Sequence, residues 1–151
     1  MKRAILSAAC AFFFAAAAQA QNAAEFKNPA ELSKPNGYTQ VVVVDHGKLV
    51  FVSGQVGLNS KGEISPDFAA QAKQAFANIK TALAAVGATP ANLVKVNYYV
   101  VGLNHDKLTA IREARDSIID KQHPPASTLA GVQSLFRDDV QIEIEAEAVI
   151  P

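Results

Sequence analysis

The chain has one cysteine, no tryptophan and no net charge, and each shortage narrows what it can be. Its only thiol, Cys10, is one residue among 151. A single cysteine excludes an intramolecular disulfide and any zinc site built on cysteine pairs. Lysine plus arginine and aspartate plus glutamate each number 14, so there is no electrostatic footprint for nucleic acid or an anionic membrane. The histidines His46, His105 and His123 are far apart and form no i, i+4 pair, and no metal site is expected. His46 and His123 read as solvated turn residues. "SGQVG" (Ser53 to Gly57) lacks the Lys-Ser/Thr ending of a phosphate loop. No GxSxG elbow supports a serine hydrolase. Nothing in the sequence asks for a cofactor.

What is present starts with "MKRAILSAACAFFFAAAAQA". Lys2 and Arg3 precede an apolar run from Ala4 to Ala18, and Ala18-Gln19-Ala20 is a small-x-small cleavage site. That is the anatomy of a secretory signal peptide over residues 1–20. The run is too short for a membrane span, and no other stretch is long enough. Lipidation at Cys10 would leave only residues 4–9 after Arg3, fewer than the roughly 7–15 residues of an apolar core. The mature chain, starting near Gln21, is therefore expected to be periplasmic or secreted. It carries 12 basic and 14 acidic residues once Lys2 and Arg3 are removed.

Residues 21–37 are polar and contain Pro29 and Pro35, and read as a flexible arm. Residues 38–151 suit one domain. Val41 to Val44 and Leu49 to Val52 flank His46-Gly47-Lys48, a hairpin signal. The spacing of Phe68, Ala72, Phe76, Ile79, Leu83 and Val86 predicts a helix, with Ser65 as N-cap, Pro66 as first helical residue and Gly87 at the left-handed end. A strand follows, with Lys95, Asn97 and Tyr99 on one face and Val94, Val96, Tyr98 and Val100 on the other. A second helix from His105 must stop before Pro124-Pro125. "STLAGV" is a short strand. In "IEIEAEAV" the Ile and Ala residues fall on one face and Glu143, Glu145 and Glu147 on the other. Right-handed crossovers put both helices on one face of a single sheet in an α+β fold. Val41 to Val44 is apolar on both sides, as in a strand buried on both faces. The bare face must then be buried, most economically by self-association.

"YTQ" at Tyr38, "FVSGQVG" at Phe51, the helix "AAQAKQAFANIKTALAAVGA", "VNYYVVGLN", "PPAS" and "VQIEIEAEAV" occur in the order seen in the RidA/YjgF family. The chain resembles that family from Tyr38 to Val149. The resemblance implies a chorismate-mutase-like (YjgF-like) homotrimer with small-molecule clefts between subunits. It implies hydrolysis of reactive 2-imino acids to 2-keto acids and ammonia. By the match, Glu143 is the residue that holds the attacking water, and Tyr38, Ser53 and Gly54 line the cleft. One position departs. The family's deaminase pattern carries an arginine that forks onto the substrate carboxylate, and here Ser127 stands in its place. A hydroxyl donates one bond and has no charge. Either another cation (Arg112, Arg115 or Arg137) takes the role, or the substrate is not a small 2-imino acid. A non-catalytic trimer that binds a small metabolite in the same clefts is the alternative. RNA cleavage is disfavoured by the acidic mature chain.

Overall fold

The structure, a computed structural model, describes residues 23–151, so the signal peptide expected over 1–20, with Cys10, lies outside the described residues. The elements are β1 (Ala24–Lys27), β2 (Val41–Val44), β3 (Lys48–Val56), α1 (Phe68–Ala84), β4 (Leu93–Val101), α2 (His105–Asp116), β5 (Ala126–Val132) and β6 (Ile142–Ile150). A four-stranded sheet has the order β3-β6-β4-β5, in which β6 is antiparallel to both neighbours and β5 is parallel to β4. Both helices lie on one face, as the crossover rule predicts. Strand β1 falls within the 21–37 segment. No helix of the described residues is long and apolar enough to cross a membrane.

The alternation in β6 is what builds the core. Ile142, Ile144, Ala146 and Ala148 are buried against the helices, while Glu143, Glu145 and Glu147 stay half-buried on the opposite face. Helix α1 adds Ala72, Ala75, Phe76, Ile79 and Leu83 to the same cluster. Fully burying each of the large side chains stabilises the fold by about 1.5–3 kcal/mol. The helix starts later than its sequence signals. Asp67 is the N-cap, accepting from the Ala70 N–H at 2.8 Å, and Ser65 instead accepts from the Asp67 N–H. Gly87 does take the left-handed conformation, φ +77°. Val86 sits beyond the last helical turn and is exposed, so it leaves the apolar stripe.

Periodicity misses the fully buried Gln71. Its amide donates to the Ser65 and Asp139 carbonyls and accepts from the Gln141 N–H, all at 2.8–2.9 Å. All three bonds run to loop backbone, tying α1 to the segment before it and to the turn before β6.

The valine strand does not form the expected hairpin with β3. Strand β2 pairs instead with β1, in a separate antiparallel ribbon. Val42 packs under that ribbon with Val94 and Val149, whereas Val41, Val43 and Val44 are exposed. The reason lies in β4 and β6. A register shift between Leu93 and Lys95 turns Val94 away from the helices, onto the face that already carries Val149. The ribbon covers those two side chains. The rest of that face stays bare, with Phe51 72% exposed and Leu49 47% exposed.

Candidate active site

The bare face carries the polar residues of interest. The β3–β6 ladder runs to the pair Val52–Ala146 and resumes at Gln55–Ile144, so Ser53-Gly54 forms a bulge opposite Glu145. Glu143, one side-chain repeat away, reaches over it. A Cβ on Gly54 would overlap the Oε1, Cδ and Cγ of Glu143. The glycine is the space into which the carboxylate fits.

The three acids of the strand are not equivalent. Glu145 accepts from the Tyr99 hydroxyl at 2.9 Å and from the Asn97 amide at 3.3 Å. That bond to Glu145 raises the Tyr99 phenol above its ordinary range, with burial adding to it. Glu147 lies between Phe51 and Lys95 in the ladders. No side-chain hydrogen bond or ion pair engages the Glu143 carboxylate among the described residues. Glu147 is likewise unpaired among the described residues, but Glu143 is the one lodged over the Ser53-Gly54 bulge. A shallow cavity of about 220 Å³ opens on the same face, bordered by Phe51, Ser53, Lys95, Asn97 and the acids Glu145 and Glu147, with Glu143 outside its lining. Asn97 Oδ1, in the same place, is a buried acceptor without a partner.

Tyr38 and Ser127 are brought together at the opposite edge. The neighbour of Tyr38, Thr39, bridges to Ala126. Its N–H donates to the Pro125 carbonyl and its hydroxyl to the Pro124 carbonyl. Ser127 pairs with Val96, a residue buried on the helix side, and so points to that side. Edge strands β3 and β5 are three strand spacings apart, roughly 14 Å. Within one chain, the predicted site residues therefore form two groups, Ser53, Gly54 and Glu143 at one edge and Tyr38 and Ser127 at the other.

The three candidate replacement cations separate clearly. Arg137 is paired with Asp139 in the turn before β6. Arg112 makes no side-chain hydrogen bond among the described residues. Arg115 lies against Gly37, next to Tyr38, where a Cβ would overlap its guanidinium. Two of its nitrogens donate to Asp116, at 2.6 and 2.8 Å. Burial acts to raise the Asp116 carboxyl, but Arg115 and Lys121 hold it below the usual carboxylate range. Helix spacing puts Arg112 and Arg115 on adjacent turns with equal claims. What separates them is Gly37, a left-handed glycine at φ +76° whose missing side chain leaves the place that the Arg115 guanidinium occupies. Among the described residues, no group of three or more His, Cys, Asp or Glu is placed to hold a metal ion.

Comparison with known proteins decides the lineage of this arrangement. The family model described as Endoribonuclease L-PSP matches residues 29–150. The chain belongs to the RidA/YjgF family. A RutC family protein of Haemophilus influenzae is 38% identical over 112 residues, 72% of this chain and 85% of that one. A 2-iminobutanoate/2-iminopropanoate deaminase of Escherichia coli is 35% identical over 109 residues, 70% of this chain and 83% of that one. Among solved structures, a conserved Rid-family protein of Yersinia pestis superposes with a TM-score of 0.77 at 33% identity, covering 84% of this chain and 98% of that one. The YjgF gene product of Escherichia coli gives 0.61 at 33% identity, covering 72% and 85%. The YjgF-like α+β fold expected from the sequence is thus the observed one.

Proposed function

We propose that this family member is an exported imine or enamine hydrolase that works as a homotrimer. Its substrate class is a reactive imino acid, converted to a keto acid and ammonia. The observation that carries the reading is the unpartnered Glu143 carboxylate lodged over Gly54. In that position it takes a proton from a bound water as the water oxygen bonds to the imine carbon. The carbon–nitrogen double bond becomes single and its nitrogen gains a proton. The resulting carbinolamine collapses, the carbon–nitrogen bond breaks, ammonia leaves, and the oxygen becomes the keto oxygen. Relatives named as 2-iminobutanoate/2-iminopropanoate deaminases support this chemistry. Three carboxylates on the bare face favour a small substrate over a polyanion such as RNA.

The trimer reading is supported by the single chain itself. Phe51, Leu49 and the β2 valines are uncovered, and the two groups of cleft residues sit at opposite edges. A second copy would set the Tyr38–Ser127 edge of one subunit against the Glu143 edge of the next. Ser127 in place of an arginine leaves Arg115, seated against Gly37 beside Tyr38, as the candidate cation, and supports an altered substrate. The same substitution favours a second reading, a cleft that binds a metabolite without turnover.

The test is imine hydrolysis by the purified protein, with an amino-acid oxidase generating 2-iminobutanoate in place and semicarbazide trapping the remainder. Acceleration abolished by Glu143→Ala supports the enzyme. A trimeric sample with no acceleration, but saturable binding of keto acids, supports the binder. Detection of the native protein in the cytoplasm with its leader intact would remove the export reading.

A further inference from the structure

We propose that a second small-molecule site lies between the β1–β2 ribbon and the sheet, and that it takes a small amphipathic amine in its protonated form. A cavity of about 410 Å³ opens there, within the range of roughly 300–1,000 Å³ that holds small organic ligands. Its apolar walls include Phe26 of the ribbon, Leu93 and Val94 of β4, and Val149 of β6. One corner is polar. His123 Nδ1 lies 3.2 Å from Asp120 Oδ2, and the imidazole leans on the Phe26 ring with centroids 5.5 Å apart. Asn92 also lines the cavity, but its amide is spent on the Thr89 N–H and hydroxyl and on the Val149 carbonyl. Free hydrogen-bonding capacity is therefore concentrated in Asp120 and His123.

The charge pattern selects the ligand. No lysine or arginine lines the cavity, so the Asp120 carboxylate is its only formal charge when His123 is neutral. The Gln122 N–H and, against the opposing effect of burial, His123 hold that carboxyl below its usual range, which keeps it ionised. An ammonium head donates to the carboxylate. The Phe26 ring attracts a cation, and the aliphatic floor buries the rest of the ligand. An anion would meet Asp120, and a neutral molecule would gain nothing from it. The apolar end of the site is remote from Glu143, while its polar end, Asp120, also borders the groove of Gly37 and Arg115. Val149 is six residues along β6 from Glu143, roughly 20 Å.

The test is calorimetric titration of the purified protein with 2-phenylethylamine, with 2-phenylethanol and 3-phenylpropanoate as neutral and anionic controls. The His123 ring signals in NMR report the place of binding. The amine is expected to bind saturably, to shift those signals, and to bind about tenfold or more tighter than the alcohol. Asp120→Asn, which retains the oxygen that accepts from the Gln122 N–H, is expected to remove that advantage with at most a small fall in melting temperature from the lost His123 contact. Equal binding of amine and alcohol, amine affinity unchanged in Asp120→Asn, or no saturable amine binding at millimolar concentration would each overturn the proposal.

Discussion

Replacing Gly54 by alanine tests the geometry on which the water-holding role of Glu143 depends. Gly54 is not in the left-handed region, so a methyl group there meets no torsional objection. The whole effect arises from contact. The new Cβ would occupy the space of the Glu143 side chain, from its Cγ to its Oε1. Either the carboxylate turns into another rotamer or the bulge opens. Forcing an extra carbon into a packed site costs about 1–3 kcal/mol. The loss of activity should be larger in proportion. A displaced general base forfeits a factor of about 10²–10⁴ in turnover. Gly54→Ala should therefore retain the fold, lose roughly 3–15 °C in melting temperature, and drop in turnover at least 100-fold, close to the level of Glu143→Ala. The double variant should be no worse than either single one, because both remove one function. The assay is imine hydrolysis set beside thermal denaturation of the same samples. Turnover within a few-fold of wild type in Gly54→Ala would refute the reasoning, since the carboxylate would then act from somewhere else.

Arg115→Met should raise KM for a carboxylate-bearing imine about tenfold while leaving kcat nearly unchanged, if Arg115 supplies the missing cation. An equal KM in both proteins would return Arg115 to a purely packing role against Gly37. Gln71→Leu strands two carbonyls and one N–H in the interior, and should destabilise the protein by about 2–4 kcal/mol in a urea titration. The raised Tyr99 phenol keeps its proton in the folded state after the unfolded chain has begun to lose it. Stability should therefore be intact below pH 10 and fall as pH rises through the folded value. Tyr99→Phe should flatten that decline, read as the urea midpoint between pH 9 and 11.

The sequence made the two helices, the alternating strand β4 and the period-two face of β6 legible because each rests on local spacing. The carboxylate face of β6 could be drawn from "IEIEAEAV" alone. Which of its acids is engaged could not, because Tyr99 and Asn97 claim Glu145 through a neighbouring strand. The valine strand misled for a related reason. Its apolar pattern is real, but its partner is chosen by Val94 and Val149, which become an exposed pair only after a register shift in β4. Gln71 reads as a polar helix residue, and only the tertiary fold supplies its three backbone partners. Arg115 and Gly37 are 78 positions apart. No spacing rule links them.

The placement of β6 has a consequence for how the molecule is made. The last strand in sequence order is an inner strand of the sheet, and Lys48 must find Ile150 across about a hundred residues. Neither β3 nor β4 has its antiparallel neighbour until residues 142–150 emerge. Contacts of such long range slow folding, because loop closure precedes any gain from pairing. A chain cut before Ile142 would carry two orphaned strands and half a core, with nothing to hold α1 in place. A nascent chain of this design stays open until its synthesis is nearly done. That delay is what the export proposed above would require, since a translocation channel passes only an unfolded chain.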